Sequence, residues 1–533
     1  MPIPPRQPGV HVEEVPAGPR PIAGVATAIT AFVGRAASGP VETPVTCTGW
    51  GDFDRVFGGL FAPSALGHAV RDFFLNGGRE AVILRLHRSL PGQPDSARLV
   101  VRDPADEGAL SLTASSPGRW GNALRARIDH DASEAEATAL GLPAEALFSL
   151  SVRDGATGAV ELFRNLTTAE HARRIDRVLA AESRLVRLDG ALPAGRPAAH
   201  APPAAGRTVW EDAAASSGVA PGAAAGDGAA LQAQDFIGPG FEAAQRGLYA
   251  LDRADPVNLL CIPPHVGDDP PEEVEPALLA AAVAYAERRR AFLLLDSPAN
   301  WTTPAQAAAG PAALGVTSAN AALFFPRLLQ PDPLRGGLPR AMPACGAIAG
   351  LFARTDAERG VWKAAAGTAA TLRGATGPAL PLGDAAIGQL SPPGVNCLRA
   401  LPGVGVVVWG SRTCQGDDRQ GSAWKYIPVR RLALFLEESL VRGLAWAALE
   451  PNDEALWARL RQATGEFLQG LFRQGAFQGS TAREAYLVQC DAGTTGPADI
   501  DAGLVNILVG FAPLRPAEFV MLRLRQSAGR PPG

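Results

Sequence analysis

A strand, a helix and a second strand follow one another between residues 257 and 296, and this order leaves few folds open. Residues 257–264 (VNLLCIPP) and 291–296 (AFLLLD) are short apolar runs typical of buried strands. The stretch between them, 272–290, begins with acidic residues and ends with arginines, which complements a helix dipole. Two strands joined by a helix pair in parallel, and helices cover the sheet that they form. The sequence therefore predicts an α/β core.

The same succession of helix and strand patterns occurs near the start of the chain. Residues 66–78 (LGHAVRDFFLNGG) have the apolar spacing of an amphipathic helix that ends at a glycine, and residues 80–86 (EAVILRL) form the next buried strand. We therefore predict a core α/β domain in two parts, with residues 25–90 as the first part and 234–380 as the second.

The sequence pattern of the chain between these two parts is different. Short alternating runs separated by turn residues predict a β-rich domain at 91–205, inserted into the core. Residues 206–233 are rich in alanine, proline and glycine, which is typical of a linker. Beyond the core, two long amphipathic helices at 429–449 and 451–472 belong to a C-terminal α/β domain at 381–512.

Both ends of the chain carry an isolated strand. Near the start, Val10 and Val12 alternate with polar residues and are followed by several prolines, which prevent a quick hairpin. We assign residues 1–24 to an N-terminal arm and 513–533 to a C-terminal arm. A strand without a local partner gains stability by joining the sheet of another subunit, and head-to-tail contacts that do not close build a helical filament. The alternative is that both strands pair within the monomer.

Composition excludes several classes of function. The net charge is −4 and no lysine or arginine block is present, which argues against nucleic acid as a partner. The N-terminus lacks the apolar region of a secretory signal, and no apolar stretch is long enough to span a bilayer, so we expect a soluble protein made in the cytoplasm. The six cysteines have no metal-binding or redox spacing, so we expect buried free thiols.

Motifs for nucleotide binding or nucleophilic catalysis are missing. No lysine follows a glycine as in a P-loop, and no serine lies in a G-x-S-x-G elbow. An enzymatic reading would use Asp296, which ends a predicted strand, with help from other polar residues further on, namely Arg354, Asp356, Arg412, Asp417 and Asp418. An aspartate at a strand end is also a common helix cap, so we expect no catalytic, cofactor-binding or metal-binding residue and no cofactor. An α/β enzyme and a soluble binding module remain the rival classes.

Many segments, in the same order, resemble the tail sheath proteins of contractile phage tails and related contractile injection systems. Examples are PGVHVEEVPAGPRPIAGVATAITAFVG at 8–34, AIAGLFARTDAERGVWKA at 347–364 and WKYIPVRRLALFLEESL at 424–440. Residues 91–233 match weakly apart from 115–124. The resemblance implies an α/β (α+β) multidomain sheath subunit with α/β core domains, an inserted outer domain and strand arms at both ends.

The resemblance also implies a structural function. Sheath proteins form stacked hexameric rings around an inner tube in an extended, metastable state, and their contraction drives the tube through a target envelope. The implied partners are further sheath subunits, the inner tube protein, and baseplate and tail terminator or cap proteins, without nucleic acid and without membrane insertion. The sheath would be assembled in the bacterial cytoplasm as part of a phage tail or of a tail-like particle that is in some cases released. A phage tail and a non-phage injection system both stay open.

Residue roles follow from the resemblance as expectations. The arms donate strands to neighbouring subunits, and the C-terminal domain receives them. The residues expected in the arm strands are Val10, Val12, Glu13, Val15, Phe519, Val520, Leu522 and Leu524. Those expected in the receiving strands are Tyr486, Val488, Val505, Ile507 and Val509. Residues that could face the tube lie on or beside one helix, with a solvated or intersubunit face as the alternative: Arg430, Arg431, Glu437, Glu438 and Arg442.

Overall fold

The computed structural model describes residues 21–101, 110–266 and 273–518. The predicted arm strand at 9–15, and residues 519–525 of the one predicted at 517–525, lie outside the described residues. The strands are β1 Thr30–Gly34, β2 Val45–Cys47, β3 Ala81–Arg85, β4 Arg98–Val101, β5 Leu110–Ala114, β6 Leu124–Asp129, β7 Phe148–Asp154, β8 Val160–Leu166, β9 Val186–Leu188, β10 Leu259–Cys261, β11 Phe292–Asp296, β12 Ala321–Phe325, β13 Leu328–Asp332, β14 Leu338–Met342, β15 Gly377–Pro378, β16 Val395–Leu401, β17 Gly405–Trp409, β18 Tyr486–Gln489 and β19 Leu508–Phe511.

The α-helices alternate with these strands through much of the chain. They are α1 Trp50–Phe57, α2 Leu66–Asn76, α3 Glu134–Leu140, α4 Ile175–Glu182, α5 Ala233–Ile237, α6 Phe241–Ala244, α7 Pro276–Arg288, α8 Pro304–Leu314, α9 Cys345–Arg359, α10 Asp384–Leu390, α11 Ile427–Gly443, α12 Glu454–Arg473, α13 Ala482–Ala485 and α14 Pro497–Asp501. In the part of the chain that the structure describes, each helix is too short or too polar to cross a bilayer.

The described residues divide into two compact units. The body unit consists of 28–354 and 365–422, and the terminal unit consists of 21–27, 355–364 and 423–518. The chain therefore enters and leaves the terminal unit several times. Residues 381–422, which the sequence analysis grouped with the C-terminal domain, pack within the body unit because β16 and β17 extend its large sheet.

An eight-stranded sheet forms the centre of the body unit. Its order is β17-β16-β12-β11-β10-β1-β3-β2. The six strands from β16 to β3 run parallel, and antiparallel strands close the two edges. The predicted strand–helix–strand unit is β10, α7 and β11, with β10 and β11 paired in parallel. These strands are buried along almost their whole length, as expected of a parallel sheet covered by helices. The predicted α/β fold class is confirmed.

The inserted region of the body unit has two small antiparallel sheets and a core of its own. One sheet has the order β4-β5-β9 and the other β6-β7-β8. Their inward side chains form a single apolar cluster with α4. Residues 215–225, inside the segment predicted as a linker, instead lie against this domain: Val219 bridges to Leu99, and Ala225 is part of the cluster. The small side chains of this segment fit closely against the strands, which composition alone does not reveal.

The terminal unit is built on its two long helices. Leu432 and Leu436 of α11 pack with Leu468 and Leu471 of α12 in one apolar cluster, which also receives the inner side chains of β18 and β19. The Asp453 side chain caps α12 by accepting the Leu456 amide at 2.9 Å. The unit therefore presents a small sheet on a rigid pair of helices.

Candidate intersubunit interface

Strands β18 and β19 form a two-stranded antiparallel sheet in the terminal unit. Tyr486 lies opposite Phe511, and Val488 lies opposite Val509. These four side chains point to the same face and pack on the apolar cluster of the long helices. Packing on the helices stabilises the pair, since a hairpin alone is marginal in water.

Among the described residues, the opposite face of this sheet is exposed and no third strand lies at its edges. Leu487 and Leu508 lie on the face away from the cluster, and each is 53% exposed. Within residues 21–101, 110–266 and 273–518, no further strand joins either side of the pair. An unpaired strand edge offers a row of backbone donors and acceptors to another chain. The arrangement can therefore add strands by β-augmentation, in which main-chain hydrogen bonds supply the affinity.

The predicted receiving residues divide into two groups in the structure. Tyr486, Val488 and Val509 lie in the two strands, where they form the inner face. Val505 and Ile507 precede β19 and pack instead on a second apolar cluster around Trp457. The sheet is therefore shorter at this end than the alternating sequence predicts, because these side chains serve the helix packing.

The predicted arm residues lie outside the described residues: Val10, Val12, Glu13, Val15, Phe519, Val520, Leu522 and Leu524. The adjoining segments, 21–27 and Arg515–Glu518, are described and belong to the terminal unit.

The five charged residues proposed to face a tube differ in their surroundings. Arg430 pairs with Glu437 at 3.1 Å, and Arg442 pairs with Glu438 at 2.6 Å, with both pairs partly exposed. Arg431 has a side chain that is only 5% exposed. Its guanidinium makes a bidentate contact with Asp356 at 2.6 and 3.0 Å and donates to the carbonyl oxygen of Thr27 at 2.9 Å.

Sequence reasoning did not find the role of Asp356 in this cluster. Thr27 Oγ1 also donates to Asp356 Oδ2, at 2.7 Å, so the carboxylate accepts from two segments of the chain. Such charge-assisted hydrogen bonds are stronger than neutral ones, and the bidentate geometry fixes the orientation of both side chains. The positions of these residues in the sequence carry no periodic signal, because Asp356 is 75 residues from Arg431 and 329 residues from Thr27.

The residues weighed for an enzymatic reading have separate structural partners. Asp296 Oδ1 accepts the amides of Ala344 at 2.6 Å and Cys345 at 2.9 Å, and so caps the start of α9. Burial raises the pKa of Asp296, against the opposing effect of these hydrogen bonds. Arg354 donates to the carbonyl oxygens of Asn76 and Thr371.

The remaining candidates of the enzymatic reading are also engaged elsewhere. Arg412 contacts Asp418 at 3.0 Å, and Asp417 pairs with Arg419 at 2.6 Å. Among the described residues, no group of histidine, cysteine and acidic side chains has the arrangement of a metal site. All six cysteines are buried free thiols, as predicted.

Family models match two adjacent stretches of the chain. The phage tail sheath protein central domain matches residues 239–414, and the phage tail sheath C-terminal domain matches residues 419–527. Together these stretches cover more than half of the chain. A putative prophage major tail sheath protein of Pseudomonas aeruginosa (strain UCBPP-PA14) is 26% identical over 305 residues, which are 56% of this chain and 74% of that protein.

Solved structures share the fold over nearly the whole chain. The helical sheath of the anti-feeding prophage in its contracted state has a TM-score of 0.57 at 23% identity, covering 98% of this chain and 99% of that one. The sheath complex of the extracellular contractile injection system PVC, also contracted, has a TM-score of 0.57 at 20% identity over 98% of both chains. A sheath tail protein from Listeria innocua has a TM-score of 0.59 at 12% identity, covering 93% of this chain and 96% of that one.

An α/β body with a small, open-edged sheet in a separate unit defines a structural building block of an assembly. The chain belongs to the phage tail sheath family, and it is a structural subunit of a contractile sheath.

Proposed function

We propose that this chain polymerises as stacked hexameric rings around an inner tube, and that its contraction drives the tube through a target envelope. The observation that carries the proposal is the β18–β19 sheet, which lies on a rigid apolar support and has no further strand beside it among the described residues. The arm strands at 9–15 and 517–525 of neighbouring subunits would extend this sheet.

The strength of such links comes from their number. Each interstrand hydrogen bond contributes about 1 kcal/mol net, so one arm alone binds weakly and a lattice of arms binds strongly. The links would keep subunits connected while their bodies move between two stable arrangements of the interface. Energy stored at assembly then drives contraction, and neither a catalytic site nor a nucleotide cofactor is required.

The partners follow from this role. They are other sheath subunits, an inner tube protein, and baseplate and terminator or cap proteins. We place assembly in the bacterial cytoplasm, in a phage tail or in a tail-like injection particle. Arg430, Glu437, Glu438 and Arg442 are proposed to meet charges on the tube. Replacing Arg442 with glutamate should then weaken co-sedimentation with the tube protein without preventing polymerisation of the sheath protein alone.

Removal of residues 1–20 tests the arms. The full chain should form contracted-sheath-like tubes in electron micrographs, whereas the truncated chain should fold but remain in small oligomers. A chain that lacks only residues 2–7 is the matched control, since it keeps the predicted strand at 9–15. Normal tubes from the 1–20 truncation would refute strand exchange through this arm, and a full chain that stays monomeric with and without its tube protein would refute the proposed function.

A further inference from the structure

Residues 21–27 lie along one face of α11. Ile22 is buried against Gly443, where a Cβ would come within 2.6 Å of the isoleucine side chain. Gly24 lies equally close to the ring of Phe435, since a Cβ at this glycine would be 2.8 Å from Cζ. At both glycines an added Cβ would force the neighbouring side chain to move, so the segment and the helix lie in close contact.

Hydrogen bonds fix the same segment. The backbone amide of Val25 donates to Ser439 Oγ at 3.2 Å. Thr27 joins the buried cluster of Arg431 and Asp356 through both its hydroxyl group and its carbonyl oxygen. Ala23, Gly24 and Ala26 are exposed, but the buried Ile22 and the paired backbone donor of Val25 distinguish this stretch from a free surface tail.

The contacts of α11 with this segment follow a strict spacing. They fall on every fourth residue of the helix, which is one face. The partners run in broadly the opposite direction along the chain. The pairs are Arg431 with Thr27, Phe435 with Gly24, Ser439 with Val25 and Gly443 with Ile22. This face of α11 therefore forms a groove that holds residues 22–27, which include the end of the N-terminal arm.

The N-terminal end of the same helix contacts the other end of the described chain. Tyr426, the N-cap residue of α11, donates its hydroxyl group to Glu518 Oε2 at 3.1 Å. Lys425 Nζ lies 3.6 Å from the same oxygen. Glu518 belongs to the C-terminal arm and directly precedes the predicted strand residue Phe519, so this arm is also held at α11.

We propose that α11 is the common anchor of both arms, with its groove holding residues 22–27 and its N-terminal end holding Glu518. A pull on one arm is then passed to the other through a single helix of the terminal unit, and the chain of the body unit carries no load between them. This inference deepens the proposed function, since it assumes that the arms are links, but the anchoring itself exists in the isolated monomer. It predicts where the links transmit force in a sheath.

Hydrogen exchange on the full-length monomer tests the groove. We expect the Val25 amide to be protected, and Thr27→Val and Ser439→Ala each to raise its exchange by about tenfold, as expected for one lost hydrogen bond. Gly465→Ala on α12, where an added Cβ meets nothing within 4 Å, should leave it unchanged. An unprotected Val25 amide in the original chain, or unchanged exchange in both variants, would contradict the proposed groove.

Force spectroscopy on the full-length monomer, with handles attached at the two chain ends, tests the shared anchor. The first rupture should release the anchors before the body unit unfolds, and its force should fall in both Asp356→Asn and Glu518→Gln. Gly465→Ala is again the control. If the body unit unfolds first, or if neither variant lowers the first rupture force, then α11 is not the anchor. Because this measurement needs no polymer, a chain that fails to assemble and an anchor that fails to hold give different results.

Discussion

Asp72 of α2 has its carboxyl group fully enclosed in the body unit. Its Oδ2 accepts from Gln330 Nε2 at 2.7 Å, and Arg71 Nε lies 4.0 Å from Oδ1. Burial raises the pKa of Asp72 to about 7, because the loss of water outweighs the hydrogen bond from Gln330 and the charge of Arg71. The folded chain therefore binds this proton more tightly than the unfolded chain.

This excess proton affinity predicts a dependence of stability on pH. Between the ordinary pKa of 3.8 and about 7 the folded state holds the proton that the unfolded state has lost, so the free energy of unfolding falls as pH rises. Asp72→Asn should be more stable than the original chain at pH 8, by on the order of 3 kcal/mol, with the gain shrinking towards pH 4. Urea unfolding at both pH values measures this. The exposed Glu145→Gln is the control, and an equal gain at both pH values would contradict the prediction.

Arg85 is a buried cation at the end of β3 that binds backbone oxygens. Its guanidinium donates to the carbonyl oxygens of Ala36 at 3.0 Å, Gly39 at 2.6 Å and Pro117 at 2.8 Å. Burial lowers the pKa of Arg85 to about 10. A lysine cannot span three carbonyl groups with one nitrogen, so Arg85→Lys should lower the free energy of unfolding by at least about 2 kcal/mol. Chemical denaturation measures the loss, and the exposed Arg79→Lys should cause none.

At the scale of elements, α2 and α9 pack with their backbones in close contact. A Cβ at Gly346 would lie 2.0 Å from the carbonyl oxygen of Ala69, and a Cβ at Gly350 would lie 2.3 Å from that of Phe73. No neighbouring side chain can move to relieve a clash with backbone, so the two helices must separate if either glycine is replaced.

Gly350→Ala therefore should destabilise the body unit by about 1–3 kcal/mol. The matched control is Gly388→Ala in α10, where an added Cβ meets nothing within 4 Å. This control should be neutral or more stable, by about 0.5–1 kcal/mol, because alanine is the better helix former. Thermal unfolding of the two variants gives the comparison. Equal melting temperatures would mean that the helices tolerate a wider separation than the structure indicates.

Local signals were sufficient to predict some of these elements. Gly77 ends α2 with a positive φ of 116°, and Asp453 caps α12, both at the positions that sequence patterns indicate. The parallel strands β10 and β11 likewise follow from apolar runs joined by a helix. Contacts between distant segments have no local sequence pattern that predicts them. An example is the pairing of β16 with β12 in the large sheet, which depends on packing across the fold.

The interface was harder to predict than the fold for the same reason. The alternating pattern predicts that Val505 and Ile507 belong to a receiving strand, but β19 begins only at Leu508. Val505 and Ile507 have the same pattern and serve a helix cluster instead. A period-2 pattern thus identifies the side chains that point inward, but it does not show which apolar cluster they pack on. The groove of α11 was also missed, because Arg431 reads as a surface charge until Asp356 is brought to it.

At the scale of the whole molecule, the inserted domain has its entrance and exit side by side. The Ala229 amide donates to the carbonyl oxygen of Arg88 at 2.8 Å, and the Gly226 amide donates to that of Pro94 at 3.0 Å. The main apolar cluster of the body unit contains no residue between Leu86 and Leu231, whereas the inserted domain has its own cluster. The two cores are therefore independent, and a short bridge can replace the insertion.

Excision of residues 90–227, with a linker of about four residues in their place, should leave a chain that folds and polymerises. It would lose the contact of Arg85 with Pro117 and so be less stable, but the β18–β19 sheet and α11 lie in the other unit and would be unchanged. Because the resemblance places the insertion on the outside, its tubes should have a smaller outer diameter and the same lumen in electron micrographs. An excised chain that is folded by circular dichroism yet stays monomeric, under conditions where the full chain forms tubes, would mean that the insertion itself makes the essential contacts between subunits.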